Sequence, residues 1–311
     1  MKNRIAIFLY LILIMICTAC AGPAATGQRN ETTKRSLSEL DTGTRLYQRG
    51  CYHQSLSRFF LSFELFVSFD KLEGAAICLN NIGNVYNALN DIDTAILFYD
   101  EAFATYTLIN DKEGMIHTLG NKATALAGSG HLSEAAITLS RAEELAGPAQ
   151  DTFPMLLFSR GILEMKQQHF DKAEKILVQA LDRINPQHTP DMAAIHFTLG
   201  ELMMKTRRHE ASIPHFQKAL LYDRQALFQR GIAKDLAAIG DAKAAIGKQK
   251  EAIAYYKRSL MIFALMDIQE EKDTILKKLE AATEKNSSDM PMVQFLMDYW
   301  DKNGSSASLC D

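Results

Sequence analysis

Small residues recur at a nearly fixed spacing along this 311-residue chain. The intervals are 40, 40, 38, 39 and 40 residues, between Gly43, Gly83, Ala123, Gly161, Gly200 and Gly240. Sixteen residues after each of them stands a large side chain, at Phe59, Tyr99, Leu139, Leu177, Phe216 and Tyr256. Self-similarity at such a period is the mark of an array of structural units that stack on one another.

The residue types at these positions indicate paired helices. Small side chains let two antiparallel helices approach closely, and a bulky apolar residue fills the groove beside them. Gly130 and Gly247 fall at the break between the two helices of a unit, where glycine commonly ends a helix. With 17 Gly and 7 Pro, the chain also has too few turn residues for many short strands. The sequence therefore predicts an all-α solenoid of about six antiparallel helix pairs with a capping helix.

The clearest copy, LNNIGNVYNALNDIDTAILFYDEA from Leu79 to Ala102, resembles the tetratricopeptide repeat. The period is nearer to the longer variety of that repeat, of roughly 40 residues, than to the usual length of about 34. The resemblance implies a right-handed solenoid over residues 37–285, and residues 286–311 would form an amphipathic helix and a disordered tail. The implied repeats are centred near 43–62, 83–102, 123–142, 161–180, 200–219 and 240–259.

The N-terminal segment has the features of a signal peptide. Lys2 and Arg4 precede an apolar run, residues 5–16, that is too short to cross a bilayer core of about 30 Å comfortably. The end of the segment, Thr18-Ala19-Cys20-Ala21, resembles the lipobox of bacterial lipoproteins. This resemblance implies a signal peptide over residues 1–19 and a Cys20 that carries fatty acids such as palmitate.

The residues after Cys20 bear on location. Residues 20–36 are small and polar, which predicts a flexible tether between the lipid and the folded body. The residue after Cys20 is Ala21. An Asp at this position would resemble a retention signal for the inner membrane, so the resemblance favours the periplasmic face of the outer membrane. The alternative is ordinary cleavage after Ala21, which would release a soluble periplasmic or secreted protein.

Two groups of residues are candidates for a binding groove. In the family that the repeats resemble, the first helix of each repeat lines a concave surface that holds segments of other proteins. This implies a polar row whose amide groups could bind a peptide backbone, at Asn80, Asn84, Asn87 and Asn121. It also implies a more apolar stretch with adaptable methionines, at Met155, Phe158, Ile162, Met165, Phe197, Glu201 and Met204. The alternatives are solvated helix positions for the first group and core packing for the second.

Catalytic signals are missing from the sequence. There is no Gly-rich phosphate loop, nucleophile elbow or HExxH motif, so we expect no enzyme, no cofactor and no metal. A net charge of −3 excludes a polybasic nucleic-acid binder. The sequence predicts a lipid-anchored scaffold that binds a peptide segment or protein of the envelope assembly machinery. A soluble carrier or regulator, with a small apolar ligand or signal peptide in its groove, is the alternative.

Overall fold

The fold is a single row of helices. A computed structural model describes residues 24–148, 153–266, 268–283 and 289–303, and every regular element in those ranges is an α-helix. In chain order the helices are α1 (Ala24–Gln48), α2 (Tyr52–Val67), α3 (Leu72–Ala88), α4 (Ile92–Leu108), α5 (Lys112–Gly128), α6 (Leu132–Ala146), α7 (Pro154–Lys166), α8 (Phe170–Arg183), α9 (Thr189–Lys205), α10 (His209–Gln225), α11 (Gln229–Ala245), α12 (Gln249–Leu265), α13 (Gln269–Ala282) and α14 (Asp289–Asn303).

The helices pack in consecutive pairs. Helices α1 to α12 form six pairs, each stacked on the next, and α13 and α14 both pack against α12. The prediction of an all-α solenoid with a capping helix is therefore confirmed. Helix α14 docks through Val293 and Met297, which are buried, and it exposes Met292, Phe295 and Tyr299.

Contact within each pair depends on the small and large residues sixteen positions apart. A Cβ atom built at Gly83 would lie 2.7 Å from a ring carbon of Tyr99. Four further pairs have the same relation at 2.5–2.7 Å: Gly43 with Phe59, Gly161 with Leu177, Gly200 with Phe216 and Gly240 with Tyr256. In the third pair Ala123 and Leu139 are both buried. The interpretation of the repeated spacing as a close helix contact is confirmed.

The turn inside each pair repeats with the same spacing. One residue there has a positive φ in every copy, at Gly50, Asn90, Gly130, Gln168, Arg207 and Gly247. The amide of the following residue donates back across the helix end, as His131 N does to the carbonyl of Leu126 at 2.9 Å. These bonds satisfy carbonyls that the end of a helix would otherwise leave unpaired.

The predicted tether is wrong for residues 24–36, because α1 begins at Ala24. At the end of this stretch Ser36 is buried, and its carbonyl accepts a hydrogen bond of 2.8 Å from the hydroxyl of Ser62 on α2. The predicted signal peptide, Cys20 and residues 304–311 of the predicted tail lie outside the described residues. Among the helices that are described, none has the length and apolar character to span a membrane.

Candidate binding cavity

The first helices of several pairs surround a cavity of about 900 Å³. Its walls come from both ends of the described chain, from α1 to α3 on one side and from α9, α11 and α13 on the other. The walls include aromatic side chains, namely Tyr47, Tyr52, Phe197 and Phe228. They also include charged ones, namely Glu201, Lys205, Arg230, Lys234, Asp241, Glu270, Glu271 and Lys278. The cavity thus combines apolar surface with groups of both charges.

Two of the acids in the cavity wall are neutralised by ion pairs. Glu271 pairs with Arg230. Asp241 accepts from the Lys278 ammonium at 2.7 Å and from the Tyr256 hydroxyl at 2.9 Å. These contacts hold the inner surface of α11 against the capping helix.

Glu201 and Lys234 have a different electrostatic environment. Burial raises the pKa of Glu201, against the opposing effect of Lys166, Lys205 and Lys234. Burial likewise lowers the pKa of Lys234, and Arg230 adds to that shift. Glu201 is half-buried, so its charged form is disfavoured there, and a polar ligand group that bound to the carboxylate would stabilise that form.

The two ends of the solenoid meet at one side of the cavity. Arg230 on α11 donates to the Tyr52 hydroxyl at 2.9 Å and to the Ala88 carbonyl at 3.0 Å. The Tyr47 ring stacks on Phe228 with the ring centroids 6.2 Å apart. We call this contact between the first two helix pairs and α11 the seam. It gives the array the form of a closed ring around the cavity.

The four predicted asparagines have different positions. Asn87 lines the cavity. The Asn80 side-chain oxygen accepts from the Asn121 amide at 3.2 Å, which links the second and third helix pairs. The Asn84 side-chain oxygen accepts from the Tyr99 hydroxyl at 2.8 Å, within its own pair. Three of these residues therefore bind each other or a neighbouring helix, and a ligand would have to compete for their amide groups.

The predicted apolar residues divide into two sets. Phe197, Glu201 and Met204 on α9 line the cavity together. Phe158 and Met165 on α7 are buried in the core with Leu177 and Leu199, so their predicted position on an open groove is wrong.

Met155 and Ile162, also predicted on α7, are half-buried. Met155 packs against the core cluster between the fourth and fifth pairs, and Ile162 packs against that cluster and the one before it. Helix α7 has neighbours on both sides, and residues one position apart differ by about 100° around a helix. Apolar residues therefore occur on several faces of α7, and their spacing in the sequence does not show which of them face the core and which face the cavity.

Some cavity residues were not predicted from the sequence, including Tyr47, Tyr52, Phe228 and Arg230. The partners of Arg230 at Ala88 and Tyr52 lie 142 and 178 residues away in the chain. No local pattern indicates such a contact.

Comparison with protein families agrees with this geometry. Two family models of the tetratricopeptide repeat match the chain, one over residues 76–104 and the other over residues 191–264. The matches fall on the second repeat and on the last two, all within the solenoid of helix pairs. These two stretches of the chain are tetratricopeptide repeats.

Some solved structures have a similar arrangement of helices. A Rap protein in complex with competence and sporulation factor superimposes with a TM-score of 0.55 at 12% identity, over 80% of this chain and 74% of that one. A thermophilic tetratricopeptide-repeat protein of Thermus thermophilus has a TM-score of 0.49 at 22% identity, over 68% of this chain and 98% of its own. A search of curated protein sequences found no match. The tetratricopeptide fold suggests a scaffold for protein–protein interaction, and proteins of this fold are generally non-catalytic.

Proposed function

We propose that this tetratricopeptide-repeat protein is an adaptor that holds a segment of another polypeptide in its central cavity. The observation that carries the proposal is the composition of the cavity wall, where Phe197 and Met204 stand beside Asn87, Glu201 and Lys234. Apolar contacts of this kind supply affinity for a peptide, while a few polar groups fix its orientation. Glu201 is half-buried in this wall, so a bound segment would contact its carboxyl group.

The place of action that we propose is the bacterial envelope. The signal peptide and the lipobox-like residues around Cys20 support a lipid anchor on the periplasmic face of the outer membrane. Two or three acyl chains give stable anchoring where a single chain is marginal. An adaptor held there would raise the local concentration of a component of envelope assembly.

One observation favours a second candidate, a soluble carrier or regulator with a compact ligand. The seam closes the ring, and a volume of about 900 Å³ lies within the usual range for small-ligand sites. The Rap protein with a similar fold was solved with competence and sporulation factor bound. A signal peptide or small apolar molecule in the cavity is therefore the alternative.

Capture experiments with paired variants test the adaptor role. We expect Asn87→Ala combined with Glu201→Gln to weaken partner capture from solubilised envelopes about fivefold, because both residues line the cavity. The matched control is Glu144→Gln combined with Gln217→Ala, two exposed positions on second helices. Equal capture by the cavity variant and the wild type would reject this site, provided that both unfold at the same temperature.

Metabolic labelling separates the anchored and soluble alternatives. We expect a radioactive fatty acid to label the wild type and not Cys20→Ala, because the acyl chains require the Cys20 thiol. Cys78→Ala is the matched control, since the Cys78 thiol is free and buried. An unlabelled wild type would remove the lipoprotein proposal and leave the soluble one.

A further inference from the structure

We infer that Arg230 is a latch that closes the solenoid into a ring, and that opening of this latch admits polypeptide to the cavity. The second half of this inference rests on the proposed function of the cavity. The first half depends only on the contacts of the seam.

The guanidinium of Arg230 serves as a helix cap for a distant repeat. Ala88 is the last residue of α3, where carbonyl groups have no partner within the helix and the helix dipole is negative. Arg230 donates to that carbonyl at 3.0 Å, so a side chain of the sixth pair completes a helix of the second. The same guanidinium donates to the Tyr52 hydroxyl and lies over the Tyr52 ring, 5.4 Å from its centroid. One side chain thus makes two hydrogen bonds that join the two ends.

The seam differs in kind from the contacts between successive repeats. Each buried apolar cluster in the described part of the chain joins neighbouring helix pairs or the cap, and none of these clusters crosses the seam. Contacts across the seam include the guanidinium of Arg230 with its two acceptors, the stack of Tyr47 on Phe228, and the close approach of the Met266 side chain to Gly50. The ring can therefore separate at the seam without dividing one of these clusters, while Tyr52, Met266 and the Tyr47 ring become more exposed.

Opening would leave little charge without a partner. Glu271 lies on α13, next to α12, and belongs to the same end of the array as Arg230. Arg230 would keep this ion pair and exchange the Tyr52 hydroxyl and the Ala88 carbonyl for water. Small rotations between stacked repeats add up along a solenoid, so a modest change in each pair separates the ends. The freed edge includes Asn87, which is next to Ala88 and lines the cavity.

Alkylation of a cysteine inside the cavity tests the latch. Ala238 lines the cavity and is partly exposed, so Ala238→Cys provides a reporter with a minimal change in volume. The full chain with this reporter is treated either with N-ethylmaleimide or with a maleimide on a polyethylene-glycol chain. The parent without the reporter corrects for the natural cysteines. The small reagent reports on the thiol itself, and the polymer reports on the width of the entrance.

We expect Arg230→Ala to accelerate the reaction of the Ala238→Cys reporter thiol with the polymer maleimide about tenfold, because the solenoid opens and widens the entrance. The rate with N-ethylmaleimide should change less than threefold. Tyr52→Phe keeps the aromatic ring at position 52 and removes the hydroxyl that accepts from Arg230. It should give a smaller acceleration of the polymer reaction, about threefold. The matched control is Arg258→Ala, whose guanidinium packs on Tyr255 of the same helix, 5.4 Å from the ring centroid. Unchanged polymer rates in folded Arg230→Ala and Tyr52→Phe would overturn the latch.

The same reporter separates the latch from the adaptor role. A wild type that reacts with the polymer as readily as the open variants would show that the seam is not closed, and the latch would fall. If Arg230→Ala opens the cavity while capture from envelopes does not rise, the latch stands and its opening does not admit the partner; the proposed function fails only if the cavity variant Asn87→Ala with Glu201→Gln also captures as well as the wild type. Increased capture by Arg230→Ala, and not by Arg258→Ala, supports both.

Discussion

Gly83→Leu is expected to lower the free energy of unfolding by about 3 kcal/mol, near the upper end of the usual cost of overpacking. A Cβ at this position would already lie 2.7 Å from the Tyr99 ring, which is 1% exposed and cannot move into solvent. The Tyr99 hydroxyl is further held by Asn84 at 2.8 Å. The helices α3 and α4 would have to separate, and chemical denaturation measures the loss.

Gly128→Leu is the matched control for this prediction. Gly128 is the last residue of α5, and a Cβ there meets no atom within 4 Å. Both substitutions remove a glycine from a helix, which by itself favours folding by up to about 1 kcal/mol. We therefore expect Gly128→Leu to be neutral or slightly stabilising. Equal stability of the two variants would contradict the close contact that defines each repeat.

Asp235→Asn is expected to raise the free energy of unfolding by about 2 kcal/mol at pH 8 and to leave it nearly unchanged at pH 4. Asp235 on α11 is 1% exposed, and it faces Asp223 on α10, which is 5% exposed. One carboxylate oxygen of Asp235 has no hydrogen-bond partner within the described part of the chain. Burial raises the pKa of both carboxyl groups, and each is affected by the other.

The sign of this pH dependence follows from the direction of the shift. A carboxyl group with a raised pKa in the folded state keeps its proton there, while the unfolded chain loses it above about pH 4. Stability is therefore greatest below that pH and falls as the pH rises toward the folded-state pKa. An asparagine donates to Asp223 at every pH, so the variant should lose less stability between pH 4 and pH 8 than the wild type.

Asp182→Asn is the control for Asp235→Asn. Asp182 is exposed on α8, and its replacement should change stability by less than about 0.5 kcal/mol at either pH. Denaturant unfolding at both pH values gives the comparison. The stability of the wild type should fall more steeply between pH 4 and pH 8 than that of Asp235→Asn. Equal or shallower dependence in the wild type would contradict a proton held between the two buried carboxyl groups.

Features that repeat locally could be predicted from the sequence. The relation of Gly83 to Tyr99 spans sixteen residues and recurs in every copy, so it indicated both the helix pairs and their contact. The positions of Phe197 and Glu201 on the inner surface followed from the family that the repeats resemble. Phe158 and Met165 were placed on the wrong face because apolar residues occur on more than one side of α7.

Features that depend on the whole array could not be predicted. The contact of Arg230 with Ala88 requires the rotations between all six helix pairs to add up to a closed ring. The approach of Asp235 to Asp223 depends on the angle between α10 and α11, since nothing in the eleven residues between them indicates that the carboxyl groups meet. Both contacts depend on the relative orientation of whole helices, which a local sequence pattern does not specify.

Photo-crosslinking in cells tests most directly whether the cavity holds a polypeptide. A photoreactive amino acid is placed at Lys205, which is exposed and lines the cavity. In a second protein it is placed at Lys175, which is also exposed but lies on α8 outside the cavity. The account predicts a discrete protein adduct from position 205 that is absent from position 175 and is weakened by Glu201→Gln. Adducts of the same size and yield from both positions, or from position 175 alone, would contradict it.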